Sequence, residues 1–125
     1  MIITQFVATA DGGSRFEEFD IALDNERVGA DAFTLMASKP FDATAVCFVC
    51  LPGNLDQDWH QAPARQLVML LSGSVEVTTT DDKVRRWNAG ELFIAGDVSG
   101  RGHKTRTIGG PATVIFIPIV GEGLS

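Results

Sequence analysis

Two histidines, His60 and His103, are all that 125 residues provide. Each stands in a distinctive stretch: Trp59-His60-Gln61-Ala62-Pro63-Ala64-Arg65-Gln66 and Gly100-Arg101-Gly102-His103. An imidazole can ligate a metal, transfer a proton near neutral pH, or hydrogen-bond a bound molecule. If the two rings meet in space, they define one site. Gln66 adds a neutral amide that can ligate through its oxygen, or orient His60 or a ligand by hydrogen bonds. The plain alternative for each histidine is a hydrogen-bonded structural residue.

Other chemistries have less behind them. No motif sets a Ser or Cys beside a histidine, so nucleophilic hydrolysis lacks support. Cys47 and Cys50 form C-x-x-C, but within Thr44-Ala45-Val46-Cys47-Phe48-Val49-Cys50-Leu51, which reads as strand. Residues three apart on a strand point to opposite faces, so the sulfurs share neither a metal nor an easy disulfide. They are expected to be buried, reduced thiols acting as small hydrophobes. Gly96 to Gly102 is glycine-rich, yet a strand follows it, whereas a phosphate cradle needs a helix. Gly100 and Gly102 are expected to turn the chain and aim His103 inward. Arg101, Lys104 and Arg106 could attract a small anion, though solvated strand edges are the simpler reading.

The elements that must position these residues are short. Apolar runs alternate with Gly, Pro, Asn and Asp, and no long amphipathic helix is visible. Strands are expected at Ile2–Ala8, Phe16–Leu23, Phe33–Ser38, Thr44–Leu51, Gln66–Ser72, Ser74–Thr80, Val84–Trp87, Glu91–Ala95, His103–Ile108 and Thr113–Ile119, with Asp24-Asn25-Glu26 as a break. Gln66–Ser72 and Ser74–Thr80 read as a hairpin turning at Ser72-Gly73, with Leu71 opposite Ser74. Gln66, Val68, Leu70, Val75, Val77 and Thr79 then share one face, which His60 can join. Leu67, Met69, Leu71, Glu76 and Thr78 take the other. Both faces of the first strand are apolar, so both need cover, from N-terminal strands or a partner subunit. The whole reads as an all-β barrel or two-sheet sandwich. The tail, residues 121–125, is expected to fray.

Length and charge bound the rest. At 13.4 kDa the chain has room for one domain, residues 1–125. The net charge is −6. Residues 1–58 hold ten Asp/Glu against three Lys/Arg, and residues 59–125 hold six against seven. That balance argues against nucleic acid as a partner. No apolar run approaches the roughly 20 residues that span a bilayer, so no membrane role is expected. Met1-Ile2-Ile3-Thr4 lacks a basic start and an apolar run after it, which makes the cytoplasm the expected location.

In these motifs the sequence resembles the cupin superfamily. The first cupin motif is G-x5-H-x-H-x3-4-E-x6-G. Here Gly53, one residue early, is followed by His60, Ala62, Gln66 and Gly73 at matching spacings. The second is G-x5-P-x-G-x2-H-x3-N. Here Gly90, Gly96 and Val98 are followed by His103, two residues late, and by Thr107 in the Asn place. The resemblance spans positions 53–107, a little under half the chain, with its motifs at 53–73 and 90–107. It implies a jelly-roll β-barrel, often a homodimer, with a site in the barrel.

The resemblance also implies a divalent metal (Zn, Fe, Ni or Mn) on three histidines and a glutamate. His60 and His103 are the surviving ligands, Gln66 stands in for the glutamate, and Ala62 leaves a gap. Asp58 and Glu91 are the acidic residues nearest in sequence that could complete such a shell. The absence of Tyr disfavours sugar-epimerase-type members, which pair a His with a Tyr acid. The first expectation is therefore a metal-free small-molecule pocket. His60, Gln66 and His103 are its polar groups, and Trp59, Val68, Leu70, Val75 and Val77 its wall; no residue is assigned a catalytic role. The alternative is a metal-dependent dioxygenase, isomerase or lyase on the same three polar residues. A third reading is a purely structural or subunit-interaction role.

Overall fold

The computed structural model describes residues 1–120; the expectation for the tail falls outside them. Eleven strands run β1 (Ile2–Ala8), β2 (Ser14–Asp20), β3 (Asn25–Val28), β4 (Thr34–Ala37), β5 (Cys47–Leu51), β6 (Gln66–Ser72), β7 (Ser74–Thr78), β8 (Val84–Asn88), β9 (Leu92–Ala95), β10 (Lys104–Thr107) and β11 (Ala112–Pro118). A six-stranded sheet has the order β2-β1-β9-β6-β11-β5, and a three-stranded sheet the order β10-β7-β8. A third sheet consists of β3 and β4 alone. Pairing is antiparallel except between β1 and β9, which run parallel with Gln5 beside Ile94 and Phe6 beside Ala95.

The inner faces of the two larger sheets close on one core. Phe6, Val68, Leu70, Phe93, Ala95 and Val114 meet Val75, Val77 and Trp87 there. Phe6 stacks on Phe93 at 5.0 Å between ring centroids. Trp87 lies 4.4 Å from Phe93, and so belongs to the structure. This is a sandwich whose alternating strands each send one row of side chains inward.

The expected hairpin is corrected. β6 and β7 do not pair: β6 lies between β9 and β11, while β7 lies between β8 and β10. The chain crosses from one sheet to the other at Gly73, where φ is +77°. A Cβ there would sit 2.5 Å from the Pro111 carbonyl oxygen, so the corner needs glycine. Alternation reads the same for a hairpin as for a corner between sheets. The face assignment therefore stands: Gln66, Val68, Leu70, Val75, Val77 and Thr79 are all buried.

The outer face of the six-stranded sheet carries a second cluster. Ile3, Ile21 and Ile94 are joined there by Phe19, Phe41, Leu67, Leu92 and Ile119. β1 and β2 lie in the same sheet as β6, so its second face is met not by N-terminal strands laid over it but by side chains of its sheet neighbours and by Phe41, from the segment after β4. The reading of Cys47 and Cys50 is overturned: both are free and exposed. β5 is the sheet's last strand, and the apolar content of a run does not report whether anything covers it. Asn25 and Glu26, part of the expected Asp24–Glu26 break, begin the strand Asn25–Val28 because it pairs with β4, Val28 opposite Thr34.

Candidate functional site

His60 and His103 face each other across an isolated antiparallel bridge. The His60 N–H donates to the His103 carbonyl at 3.0 Å, and the His103 N–H to the His60 carbonyl at 2.9 Å. In a hydrogen-bonded antiparallel pair both side chains project from the same face. The ring centroids lie 4.5 Å apart, tilted by 55°. Two histidines separated by 42 residues are thus set together by the main chain itself.

Neighbouring elements hold the bridge in place. Gly102 has φ +76°, and a Cβ on it would fall 1.9 Å from the His60 carbonyl oxygen, inside the bridge. Only glycine lets the two segments approach so closely. At Gly100, φ +74°, an added Cβ would lie 2.6 Å from the Gly12 carbonyl oxygen. The β1–β2 turn therefore buttresses the glycine loop, and the Arg101 N–H donates to that same Gly12 oxygen at 2.9 Å. Buried Ser14 donates its hydroxyl to the Gly102 carbonyl at 2.7 Å. On the other side, residues 52–60 run along β10. The Gln57 N–H bonds the Thr105 carbonyl at 2.9 Å, and the Thr107 hydroxyl bonds the Pro52 carbonyl at 2.8 Å.

Each imidazole spends the same nitrogen on the protein. His60 Nδ1–H donates to the Asp58 carbonyl at 2.7 Å. His103 Nδ1–H donates to Asp97 Oδ2 at 2.6 Å. Fixing Nδ1 as the donor leaves Nε2 on each neutral ring as an unused acceptor. His103 is buried, with its ring 5.0 Å from Phe6, and Asp97 is fully buried. Among the described residues Asp97 Oδ1 has no hydrogen-bond partner, and His103 is the group that bonds this carboxylate, through Oδ2.

Both histidines line a cavity of about 300 Å³ inside the sandwich. Gln66, Gln57 and Thr105 are the other polar lining residues, and the rest is apolar, including Leu51, Ala62, Val68, Val75, Phe93, Val114 and Phe116. Among the described residues no Asp, Glu, Lys or Arg lines it. Of the expected wall, Val68 and Val75 take part. Leu70 and Val77 are buried in the core without reaching the cavity. Trp59 points elsewhere: the Arg101 guanidinium lies 4.7 Å and the Lys104 ammonium 5.7 Å from its ring centroid. On an extended strand the neighbour of an inward His60 faces outward.

The acidic helpers are corrected as well. The Asp58 carboxylate accepts from the Trp59 N–H at 2.8 Å, and only its carbonyl touches His60. The Glu91 carboxylate accepts from the Asn88 N–H at 2.7 Å, in the turn after β8. Asp97 is the residue that sequence reasoning passed over. An Asp in a glycine-rich loop ordinarily faces water, and its type alone gives no sign of burial. Arg106, grouped above with Arg101 and Lys104, pairs with Glu76 at 2.8 Å.

The donor set does not fit a resident divalent metal. Among the described residues no three His, Cys, Asp or Glu side chains gather to hold one. Two neutral imidazoles and the neutral amide of Gln66 offer no anionic ligand, and Ala62 fills the place of a further histidine.

Comparison with solved structures decides the fold. The Cnp3 cupin domain of Schizosaccharomyces pombe superposes with a TM-score of 0.51 at 14% identity, over 96% of this chain and 84% of that one. The chain has the cupin fold. DMSP lyase DddQ from Ruegeria pomeroyi DSS-3 gives a TM-score of 0.50 at 22% identity, over 85% of this chain but 57% of that one. Protein NMB1881 from Neisseria meningitidis gives 0.51 at 16% identity, over 66% and 84%. No family model and no curated protein matches the sequence. At these identities the likeness concerns the cupin architecture, which hosts many functions. Among the described residues no helix is long and apolar enough to cross a membrane.

Proposed function

We propose that this cupin binds a small molecule in its barrel, one with an apolar body and a single hydrogen-bonding head such as a carboxyl group. The observation that carries this reading is the cavity's polarity: an apolar chamber lined by both histidines, whose ring centroids lie 4.5 Å apart. A volume of about 300 Å³ stands at the lower end of ligand pockets. His60 and His103 serve the head group, with Gln66 as a further polar contact. Val68, Val75, Phe93, Val114 and Phe116 meet the body. With no charged side chain on the lining, a protonated carboxyl donates to an Nε2 acceptor, and a carboxylate is met by a protonated ring. The metal-dependent alternative would need an anionic donor that this cavity does not supply.

The test is a thermal-shift and calorimetric series. Short aliphatic and aromatic monocarboxylic acids are compared with the hydrocarbons of the same shape. The acids should raise the melting temperature in wild type, and His60→Gln and His103→Gln should each weaken that effect. Val75→Phe, which fills the chamber, should fold and lose binding. If no acid binds, or if Val75→Phe binds them as well as wild type, the reading fails.

A further inference from the structure

Among the described residues seven polar or charged side chains are buried, and six of them have partners within the protein. Gln5 accepts from Arg65 at 3.1 Å, and Ser14 donates to the Gly102 carbonyl at 2.7 Å. Thr79 donates to Asp81 at 2.6 Å, and Thr107 to the Pro52 carbonyl at 2.8 Å. His103 and Asp97 bond each other. Gln66, 8% exposed, is the seventh, and its amide bonds no other described residue. A buried polar group without a partner is rare in folded proteins and calls for a ligand or a water to complete it. β6 holds Gln66 between Ala95 of β9 and Pro118 of β11, and the residue lines the cavity.

The polar groups that share the cavity with it are mostly acceptors. With each Nδ1–H committed to the protein, His60 and His103 offer Nε2 acceptors on neutral rings. The Gln66 amide adds one acceptor oxygen and two N–H donors. Gln57 is exposed and Thr105 half-buried, so water reaches both. A carboxylate accepts only, and Gln66 is the one donor it finds among His60, His103 and Gln66. A primary carboxamide brings two N–H donors and a carbonyl acceptor. It also stays uncharged, which suits a lining without a charged side chain among the described residues.

We propose that the cavity selects a primary carboxamide head over the corresponding carboxylate, and that Gln66 makes the selection. This rests on the binding reading above and names the head group which that site prefers. The two amides pair in a ring: a Gln66 N–H donates to the ligand carbonyl, and a ligand N–H donates to Gln66 Oε1. The ligand's second N–H is left for an imidazole Nε2. A neutral pairing of this kind needs no counter-charge, and it completes the buried side chain that the fold leaves open. A carboxylate in the same place takes the Gln66 N–H but leaves Oε1 without a donor. Its charge loses water without gaining a cation.

Calorimetry of the full chain at neutral pH tests this with benzamide against benzoate and hexanamide against hexanoate, the acids being ionised there. In both pairs the amide should bind about tenfold or more tighter. Acetophenone, which keeps the carbonyl of benzamide and lacks its N–H groups, should bind about tenfold weaker than benzamide. Gln66→Met, with an apolar side chain of similar length, should bind amide and ketone alike. Its free form should melt no lower than wild type, because the amide it loses has no partner in the protein. A Gln66→Met chain that melts well below wild type, or does not fold, would show a structural role for Gln66 and overturn the assignment. So would a benzamide preference that survives in this variant. Carboxylates that bind wild type as tightly as the amides overturn this inference alone and leave the binding reading standing. No response to any of these compounds would remove the binding reading with it.

Discussion

At the scale of single residues, the site depends on which atoms are already committed. Asp97 is buried with only His103 bonded to its side chain, so removing the imidazole strands a carboxylate in the core. Leaving a buried acceptor without its hydrogen-bond donor costs about 1–3 kcal/mol, more for a charged group. His103→Ala should therefore destabilise by about 3 kcal/mol. His60→Ala, whose Nδ1 bonds a carbonyl at an exposed position, should cost about 1 kcal/mol. Chemical denaturation of the two variants checks the order, and equal losses would contradict the assigned role of Asp97. Ala62 and Gln66 support a second prediction. Both line the cavity with the histidines, so Ala62→His with Gln66→Glu supplies the missing anionic and imidazole donors. Zinc affinity by calorimetry should rise about a hundredfold or more over wild type.

At the scale of elements, the histidines are placed by a glycine. Gly102→Ala puts a methyl group where the His60 carbonyl lies and strains a positive φ. Positive φ alone costs about 1–3 kcal/mol, and here the obstacle is main chain, which cannot rotate aside. The variant should lose about 3 kcal/mol or more and its ligand response together. Gly90→Ala, with the same sign of φ and open space around it, should lose less stability and keep its ligand response. Thermal melts with and without ligand distinguish the two. The inward role of His103 was legible in the sequence, since Gly100-Arg101-Gly102 could only be a tight reversal before a strand. The faces of β6 and β7 were legible too, because alternation records inside and outside. Their partners were not: a corner and a hairpin leave the same pattern. Nor could Asp97 be found, or the exposure of Cys47 and Cys50, because cover comes from distant elements and leaves no local mark.

At the scale of the whole molecule, two turns carry carboxylates whose ionised form favours the fold. Thr79, through its hydroxyl at 2.6 Å, holds Asp81 below the ordinary aspartate range, helped by the Lys83 N–H. Asp11 is lowered likewise, first by the Thr9 hydroxyl and then by the Gly13 N–H. Folded values below the unfolded one, about 3.9, mean stability that is complete well above that pH. It is lost as pH falls through the folded values. The melting temperature should therefore decline below about pH 4, and Asp11→Asn with Asp81→Asn should flatten that decline. A steeper decline in the double variant would show that these turns do not contribute.

The parallel pairing of β1 with β9 has a consequence in time. β1, made before every other strand described here, is also an interior strand of the larger sheet, and its neighbour β9 lies almost ninety residues further along. During synthesis β1 and β2 can form a hairpin at once, but one side of β1 stays open until residue 95 has left the ribosome. The bridge that joins the histidines forms later still, since His103 follows. A topology so rich in distant pairings belongs with slow folders, in the millisecond-to-second range. Through that interval Phe6, later stacked on Phe93 and beside His103, has no core to enter. The cavity is thus among the last parts of the molecule to come into being, and damage to β9 would be felt there first.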